Sequence, residues 1–214
     1  MFRRAPGFFD EVCYTGTGVA RTINHNLGVA PELVIIKMRS STGFSDQWVV
    51  GASVLPSWGR YLGLNLTDAV NGSNNAGPFN TTAPTSSVFS VGTWRETNGS
   101  GYNLVAYLFA SCPGVSKVGS YTGTGTTQQI NCGFTSGARF VLIKRTDSTG
   151  NWYVWDSARG IVAGNDPYLL LNSTAAEVTN TDYVDTYSAG FEISSTAPAA
   201  INASGGTFIF LAIA

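Results

Sequence analysis

Short apolar runs separated by polar turns recur along the chain and predict strands. Runs rich in Val, Ile, Thr and aromatic residues alternate with Gly, Asn, Ser and Pro about every 8–12 residues. Residues 33–38 and 140–144 are apolar up to a lysine and predict buried strands. The apolar runs 104–110 and 208–214 predict central strands covered on both faces. Helical spacing does not extend over ten residues anywhere, and short helical turns are expected only near 67–69 and 172–177.

The second half of the chain repeats motifs of the first half 107 residues later. Tyr-Thr-Gly-Thr-Gly at 14–18 returns at 121–125, and Val-Ile-Ile-Lys at 34–37 returns as Val-Leu-Ile-Lys at 141–144. Self-similarity over this length indicates that two copies of one folding unit follow each other. The pattern therefore predicts an all-β protein of two homologous β-sandwich domains, jelly-roll-like, that arose by internal duplication.

The repeat sets the expected domain boundaries. They are an N-terminal arm at 1–11, a first repeat at 12–111, a linker at 112–118 and a second repeat at 119–214. The same spacing places Trp48 on Trp155, which favours a shared core role for this pair.

Composition narrows the classes of function. Only 12% of the 214 residues are charged and the formal net charge is −1, whereas a protein that neutralises many phosphates needs a basic surface. Nucleic acid is therefore an unfavoured partner. The longest apolar runs have about seven residues and a membrane-spanning helix needs about 20, so membrane insertion is not expected either.

The residue types that perform catalysis are few and scattered. His25 is the single histidine, its repeat partner is Cys132, and Gly-x-Ser-x-Gly does not occur, so His25 is interpreted as a turn residue. Asp182 and Asp185 form the one close acidic pair in the second half, for which a solvated loop is favoured over a weak calcium loop. The sequence thus predicts no enzyme, no catalytic residue, no cofactor and no metal site.

Aromatic residues are the best candidates for binding, because a flat ring can stack on a sugar face. Trp58 and Trp94 lie in loop-like settings, and Trp152 has Ser45 at its matched position. These three residues form the candidate ligand surface, with ordinary packing as the alternative for each.

The three cysteines leave three alternatives open. Cys13 opens the first repeat and Cys112 closes it, so they could form a disulfide on neighbouring strands. With Cys132 they could instead be three small buried side chains, or they could form bonds between subunits.

The N-terminal arm carries two arginines beside a pair of phenylalanines. Such a segment suits an assembly anchor that becomes ordered against a neighbouring subunit. The candidate anchor residues are Phe2, Arg3, Arg4, Phe8 and Phe9.

A string of motifs in order resembles a domain of bacteriophage tail-fibre-like proteins. It comprises Arg-Arg-Ala-Pro-Gly-Phe-Phe-Asp at 3–10, the Tyr-Thr-Gly-Thr-Gly repeats, Asn-His-Asn-Leu-Gly-Val-Ala-Pro-Glu-Leu at 24–33, Val-Ala-Tyr-Leu-Phe-Ala at 105–110 and Phe-Val-Leu-Ile-Lys-Arg-Thr-Asp at 140–147. The resemblance implies a protein at the virion surface, with other virion proteins as partners and no assigned catalytic residues. The homotrimer that we expect rests on this resemblance alone.

Two functions fit that resemblance. The first is a receptor-binding module of a tail fibre that recognises host surface glycan through its loop tryptophans. The alternative is a structural decoration protein of capsid, neck or tail, anchored through the arm at 1–11.

Overall fold

The computed structural model describes residues 3–39, 47–71 and 73–214, and nearly all of its regular structure is β. The predicted all-β fold is confirmed. The chain divides into two units, residues 1–66 with 70–111 and residues 67–69 with 112–214, and each is described by itself. Phe2 lies outside the described residues.

The described part of the first unit has one large antiparallel sheet and one small sheet. Its strands are β1 (Phe9–Thr15), β2 (Arg21–Asn24), β3 (Leu33–Met38), β4 (Val49–Ala52), β5 (Leu62–Gly63), β6 (Val88–Val91) and β7 (Asn103–Phe109), and its one-turn helices are α1 (Ala76–Phe79) and α2 (Arg95–Asn98). The large sheet has the order β1-β7-β3-β4-β5, and the small sheet pairs β2 with β6.

The second unit has the same arrangement with one more strand. Its strands are β8 (Ser116–Thr122), β9 (Gln128–Asn131), β10 (Phe140–Arg145), β11 (Trp152–Asp156), β12 (Leu169–Leu170), β13 (Val184–Tyr187), β14 (Gly190–Ile193) and β15 (Thr207–Ile213), with the helix α3 (Ala199–Asn202). The large sheet has the order β8-β15-β10-β11-β12 and the small sheet β13-β14-β9.

Each unit is a sandwich because both of its sheets bury one face in a shared core. In the first unit Val34 and Ile36 of the large sheet meet Phe89 and Val91 of the small sheet. The nested pairing follows from a rolled hairpin, since the first strand pairs with the last and the second pairs with the last but one. This nesting is jelly-roll-like. The origin of the two units by duplication stays a prediction.

The helical turns lie elsewhere than expected. Residues 67–69 and 172–177 contain no helix, and the helical turns are α1, α2 and α3. Pro198 precedes α3 with φ −67° and ψ 160°, and Asn75 caps α1 by accepting a hydrogen bond from the Gly77 N–H at 2.7 Å. These helix starts lie outside any apolar periodicity, so the sequence pattern did not reveal them.

The tryptophan of the second unit that corresponds to Trp48 is not the one that the sequence match indicated. Lys144 of β10 lies opposite Trp152, and the matching hairpin of the first unit places Trp48 at that level, because Ile36 lies opposite Val49. The backbone N–H of each tryptophan also donates to one asparagine, Trp48 to Asn65 Oδ1 at 2.9 Å and Trp152 to Asn172 Oδ1 at 2.8 Å. The counterpart of Trp48 is therefore Trp152.

Trp48 corresponds to Trp152 and not to Trp155 because, by the strand register, the β3–β4 connection is three residues longer than the β10–β11 connection. Trp155 consequently corresponds to Gly51, where a Cβ atom would lie 2.6 Å from a ring carbon of Phe79. In the first unit Phe79 occupies core space beside Gly51, whereas in the second unit Trp155 itself is fully buried. The shared core role expected for Trp48 and Trp155 is wrong.

The expected arm and the expected linker contain the same kind of turn, and this turn opens each unit. In residues 5–9 the Ala5 and Phe9 backbones exchange hydrogen bonds of 2.9 and 3.0 Å around Pro-Gly, with Gly7 at φ 76°. Residues 112–116 repeat this turn, since Cys112 and Ser116 form the same bridge around Pro-Gly. Residues 112–118 therefore belong to the second unit, and the first unit starts before residue 12.

A buried asparagine fixes the Tyr-Thr-Gly-Thr-Gly turn of the first unit. Asn98 Oδ1 accepts from the Thr17 N–H at 3.0 Å, and its amide donates to the carbonyl oxygens of Val19 and Gly92, both at 2.7 Å. The Tyr14 hydroxyl donates to the Thr97 carbonyl at 2.6 Å. Gly16 fits tightly here, because a Cβ atom would lie 2.1 Å from the Gly99 carbonyl oxygen.

The second unit repeats this arrangement. Asn202 Oδ1 accepts from the Thr124 N–H at 3.1 Å, and its amide donates to the carbonyls of Thr126 and Ser194. The Tyr121 hydroxyl donates to the Ile201 carbonyl at 2.7 Å. In both units the Tyr-Thr-Gly-Thr-Gly segment and the buried asparagine connect the end of the first strand to the last short helix. We call this arrangement the clamp.

Lys144 is fully buried in the second unit and holds the segment 67–69. Its Nζ donates to the carbonyl oxygens of Thr67 at 3.1 Å and Gly150 at 2.8 Å. Burial lowers the pKa of Lys144 to about 8, although the nearby Asp68 carboxylate favours the charged form.

Replacing the buried asparagine tests the clamp. Asn98→Ala should lower the free energy of unfolding by about 2–4 kcal/mol, because it leaves one N–H and two carbonyl groups without their partner. Urea unfolding measures this loss. Asn24→Ala, at an exposed asparagine of β2, is the matched control and should change stability by less than about 0.5 kcal/mol. Equal effects of the two substitutions would contradict the clamp.

The buried lysine predicts a pH dependence of stability. The folded-state pKa of Lys144 is about 8 and its ordinary value is 10.5, so above pH 8 the unfolded chain holds the proton that the folded chain releases. Stability therefore rises with pH across this interval. The free energy of unfolding should gain about 1–2 kcal/mol from this group between pH 7 and 9.5. Lys144→Met should remove that gain, and parallel pH profiles of the two proteins would refute it.

Candidate functional site

The three loop tryptophans do not form a common surface. Trp58 is 9% exposed in the core of the first unit, with its ring edge-on to Phe79 at 5.7 Å. Trp152 is 2% exposed. Trp94 is half-buried, with its ring 4.7 Å from that of Tyr61 and close over the backbone of Gly77. Ordinary packing, the alternative stated for each, describes Trp58 and Trp152.

The disulfide expected as one alternative is not formed, and all three cysteines are free thiols. Cys13 lies opposite Val105 in the β1–β7 pair, whereas Cys112 lies in the Pro-Gly turn beyond the end of β7. The strand from Val105 to Phe109 alone spans about 13 Å, and a disulfide needs Cα atoms within about 7 Å. Of the three, Cys13 is exposed and Cys132 is buried.

The described arm residues are held by their own unit. Arg4 Nε donates to Asp10 Oδ1 at 2.5 Å, and Asp10 is buried, with its other oxygen accepting from the Asn26 N–H. Phe8 is half-buried and Phe9 is 4% exposed, whereas Arg3 is exposed. Residues 5–10 thus have partners within their own unit, and the role of the arm as an assembly anchor stays a prediction.

Of the titratable residues singled out in the sequence, His25 and Asp182 have structural partners, whereas Asp185 Oδ1 is buried without a hydrogen-bond partner. His25 is buried, its Nε2 lies 3.1 Å from the Thr85 carbonyl oxygen, and its Nδ1 accepts from the Leu27 N–H. The Asp182 carboxylate accepts from the Gly164 N–H at 2.9 Å. Within the described ranges no cluster of three or more His, Cys, Asp or Glu residues could hold a metal ion.

One buried acid escaped the sequence reasoning. Asp166 is fully buried, and its two carboxylate oxygens accept from the backbone N–H groups of Tyr183 and Val184, at 2.8 and 2.9 Å. Burial raises the pKa of Asp166 to about 6, although these two hydrogen bonds favour the ionised form. Because both oxygens are occupied by the start of β13, Asp166 fixes that strand.

An aromatic groove lies on the large sheet of the first unit, on the face opposite the core. It encloses about 480 Å³, within the usual range for small-molecule sites. Its lining residues are Phe9, Glu11, Ile35, Trp48, Leu64, Tyr107 and Phe109. They share this face because side chains alternate along a strand, so Phe9 and Glu11 of β1 point away from the core that Val12 and Tyr14 contact.

Two nearly parallel rings define the groove. The Trp48 and Tyr107 rings are 6.4 Å apart with an interplanar angle of 14°, and Phe9 lies 6.4 Å from Tyr107 at 11°. Phe109 packs against Phe9 at 4.9 Å. We call the cavity with its seven lining residues the aromatic groove, and these four rings are its aromatic part. Phe9 and Phe109 are buried, so the half-buried Trp48 and Tyr107 provide the ring faces beside the tyrosine hydroxyl, and this combination suits a ligand with both apolar and hydroxyl surfaces.

Charged groups border the aromatic groove. Lys37 Nζ lies 5.7 Å from the centre of the Trp48 ring, and Glu11 lies directly opposite Tyr107 on β1. Burial raises the pKa of Tyr107, the Glu11 and Cys13 charges raise it further, and the Arg39 guanidinium opposes them. The Tyr107 hydroxyl therefore stays protonated at neutral pH and can donate a hydrogen bond.

The second unit carries different residues at the matching positions. Ser116 corresponds to Phe9, Leu211 to Tyr107 and Ile213 to Phe109, as the paired strands show. The counterpart of Trp48 is the buried Trp152. The aromatic groove thus belongs to the first unit.

Sequence reasoning missed this groove because the constant spacing placed Trp48 on Trp155. The signal that could have found it is the alternation in β1 and β7, in which Phe9, Glu11, Tyr107 and Phe109 fall on one face.

The comparisons with known proteins give one match. No curated protein and no solved structure matches the chain. Among the described residues, no helix is long and apolar enough to cross a membrane. The domain of unknown function DUF7483 matches residues 5–214, beginning at the Pro-Gly turn that opens the first unit. The chain belongs to the DUF7483 family.

Proposed function

We propose that this chain is a non-enzymatic binding protein of a bacteriophage virion surface, of the tail-fibre type, and that it recognises host surface glycan. The observation that supports the proposal is the aromatic groove, in which Trp48 and Tyr107 present nearly parallel rings along a cavity of about 480 Å³. The virion setting rests on the resemblance of the ordered motifs to tail-fibre-like proteins.

A saccharide suits this groove better than a purely apolar ligand. The axial C–H groups of a sugar ring form an apolar face that stacks on an aromatic ring, and its hydroxyl groups need polar partners. The groove offers both, since Glu11 can accept from a sugar hydroxyl and the Tyr107 hydroxyl can donate to one. Ile35 and Leu64 complete an apolar floor.

Binding without hydrolysis is the form of the proposal that the groove favours. Glycosidases use two carboxyl groups on either side of the scissile bond, roughly 5–10 Å apart. Glu11 is the one carboxylate among the described residues that line the groove.

The alternative, a decoration protein anchored through its N-terminal arm, has less support. The described arm residues from Ala5 to Asp10 close a turn on their own unit, and the same turn recurs at 112–116 as an ordinary part of the second unit. A segment with this repeated structural role needs no neighbouring subunit to explain it.

Removing the flat rings tests the proposal. On an array of bacterial surface saccharides the protein should bind at least one glycan, and Trp48→Leu and Tyr107→Leu should each weaken that binding about tenfold or more. Tyr107→Leu introduces the residue type that Leu211 provides in the second unit, so the fold should tolerate it. Affinity is measured by calorimetric titration with the glycan that the array identifies.

Tyr187→Leu is the matched control, because it makes the same change at a half-buried tyrosine of the second unit. It should leave the affinity unchanged. A folded protein that binds no saccharide on the array, or an affinity that neither groove variant alters, would overturn the proposal.

A further inference from the structure

The small sheet of the second unit has an edge strand, β13, without a counterpart in the described part of the first unit. The second unit orders its small sheet β13-β14-β9, whereas the first unit pairs β2 with β6. An edge strand is held by one neighbour only, so it opens more readily than a central strand. Ser90 of β6 takes the place of Glu192 of β14, because Phe89 and Phe191 lie at matching register positions.

Two carboxyl groups face each other across β13 and β14. Asp185 lies directly opposite Glu192, and residues so placed have Cβ atoms about 4.5–5.5 Å apart. Like charges at this spacing destabilise a strand pair. Asp185 Oδ1 is moreover buried without a hydrogen-bond partner, whereas Glu192 Oε2 accepts from Gln129 Nε2 at 2.9 Å. Ionisation of both carboxyl groups therefore weakens the attachment of β13.

We infer that β13 is a pH-sensitive edge strand: one proton shared by Asp185 and Glu192 holds it to β14 in mildly acidic solution, and loss of that proton loosens it. The proton converts two repelling carboxylates into an O–H···O⁻ hydrogen bond, which is short and strong because the acceptor is ionised. It also gives the buried oxygen of Asp185 a partner. The two groups then titrate as a pair.

The surroundings of Asp185 favour its protonated form. Burial raises the pKa of Asp185 above its ordinary value, the Asp182 and Glu192 charges raise it further, and the Gly164 N–H opposes them. Asp182 precedes β13 and itself accepts from the Gly164 N–H at 2.9 Å. On β9, the residue opposite Glu192 is the uncharged Gln129. The charges that act on Asp185 are thus those of two other carboxylates.

The cations of the second unit lie in other places. All residues of this unit are described, and its cations are Lys117, Arg139, Lys144, Arg145 and Arg159. Arg145 pairs with Asp147, and Arg159 pairs with Asp156 and Glu177. Lys144 is buried on β10 of the large sheet, and Arg139 and Lys117 belong to the large-sheet side of the unit, next to β10 and on β8.

Asp166 adds a second acid-favoured group at the start of the same strand. Burial raises its pKa to about 6, its hydrogen bonds from Tyr183, Val184 and Trp155 oppose this, and the Asp185 charge raises it further. The ordinary value is 3.8, so between about pH 4 and 6 the folded chain holds a proton that the unfolded chain releases. The raised pKa of Asp185 acts in the same direction. The stability of β13 is therefore greatest in acid and falls as the pH rises toward 7.

Hydrogen exchange on the full chain tests the inference, because it reports the opening of single strands. The protection of the β13 amides relative to the β8 amides, corrected for the intrinsic exchange rate, should fall about tenfold or more between about pH 4.5 and 7. The strand β8 is the matched reference, since it is an edge strand of the same unit and contains no acidic residue.

Asp185→Asn should imitate the protonated state, because its amide can donate to Glu192 at any pH. The fall in protection should then shrink to about threefold or less, and Glu192→Gln should reduce it likewise by removing the facing charge. Glu177→Gln, at an exposed glutamate of the same unit, is the matched control and should leave the fall unchanged. Equal relative protection of β13 at both pH values, or a fall that both β-strand variants keep in full, would overturn the inference.

Discussion

The structure of each unit depends on the turn through which the chain passes from the large sheet to the small sheet. In the first unit β1 ends at Thr15 and β2 begins at Arg21, and Asn98 holds the intervening turn by two hydrogen bonds to its backbone and donates a third to the Gly92 carbonyl after β6. These groups would otherwise be buried without partners, so the asparagine determines where one strand ends and the next begins. The inward faces of both sheets, and hence the shared core, follow from that fixed geometry.

The sequence carried the fold class and much of the topology. Alternation of apolar runs and turns predicted strands, and the repeated motifs predicted two copies of one folding unit; the large sheets of the two units share one strand order. The constant spacing of 107 misassigned Trp48, because a connection that is three residues longer in the first unit makes Trp152, and not Trp155, its counterpart.

The candidate site was harder to predict because its residues come from three strands, β1, β3 and β7, and from positions next to β4 and β5. Trp48 was assigned to the core by its apparent match with Trp155, and the loop setting of Trp58 suggested exposure although that residue is buried. Loop position in sequence does not reveal whether a ring turns inward over Phe79 or outward. Glu11 and Tyr107 share one face through the register of β1 and β7, and that register depends on contacts between residues about 95 positions apart in the chain.

In the two tryptophans that donate to matching asparagines, the backbone and the side chain have separate roles. The backbone of each tryptophan performs the same task, closing the hairpin against Asn65 or Asn172, and this task places no demand on the ring. The side chains are consequently free to diverge, one buried in the scaffold and the other lining a cavity. The side chains that line the cavity can therefore be exchanged while the backbone contacts at these positions stay constant.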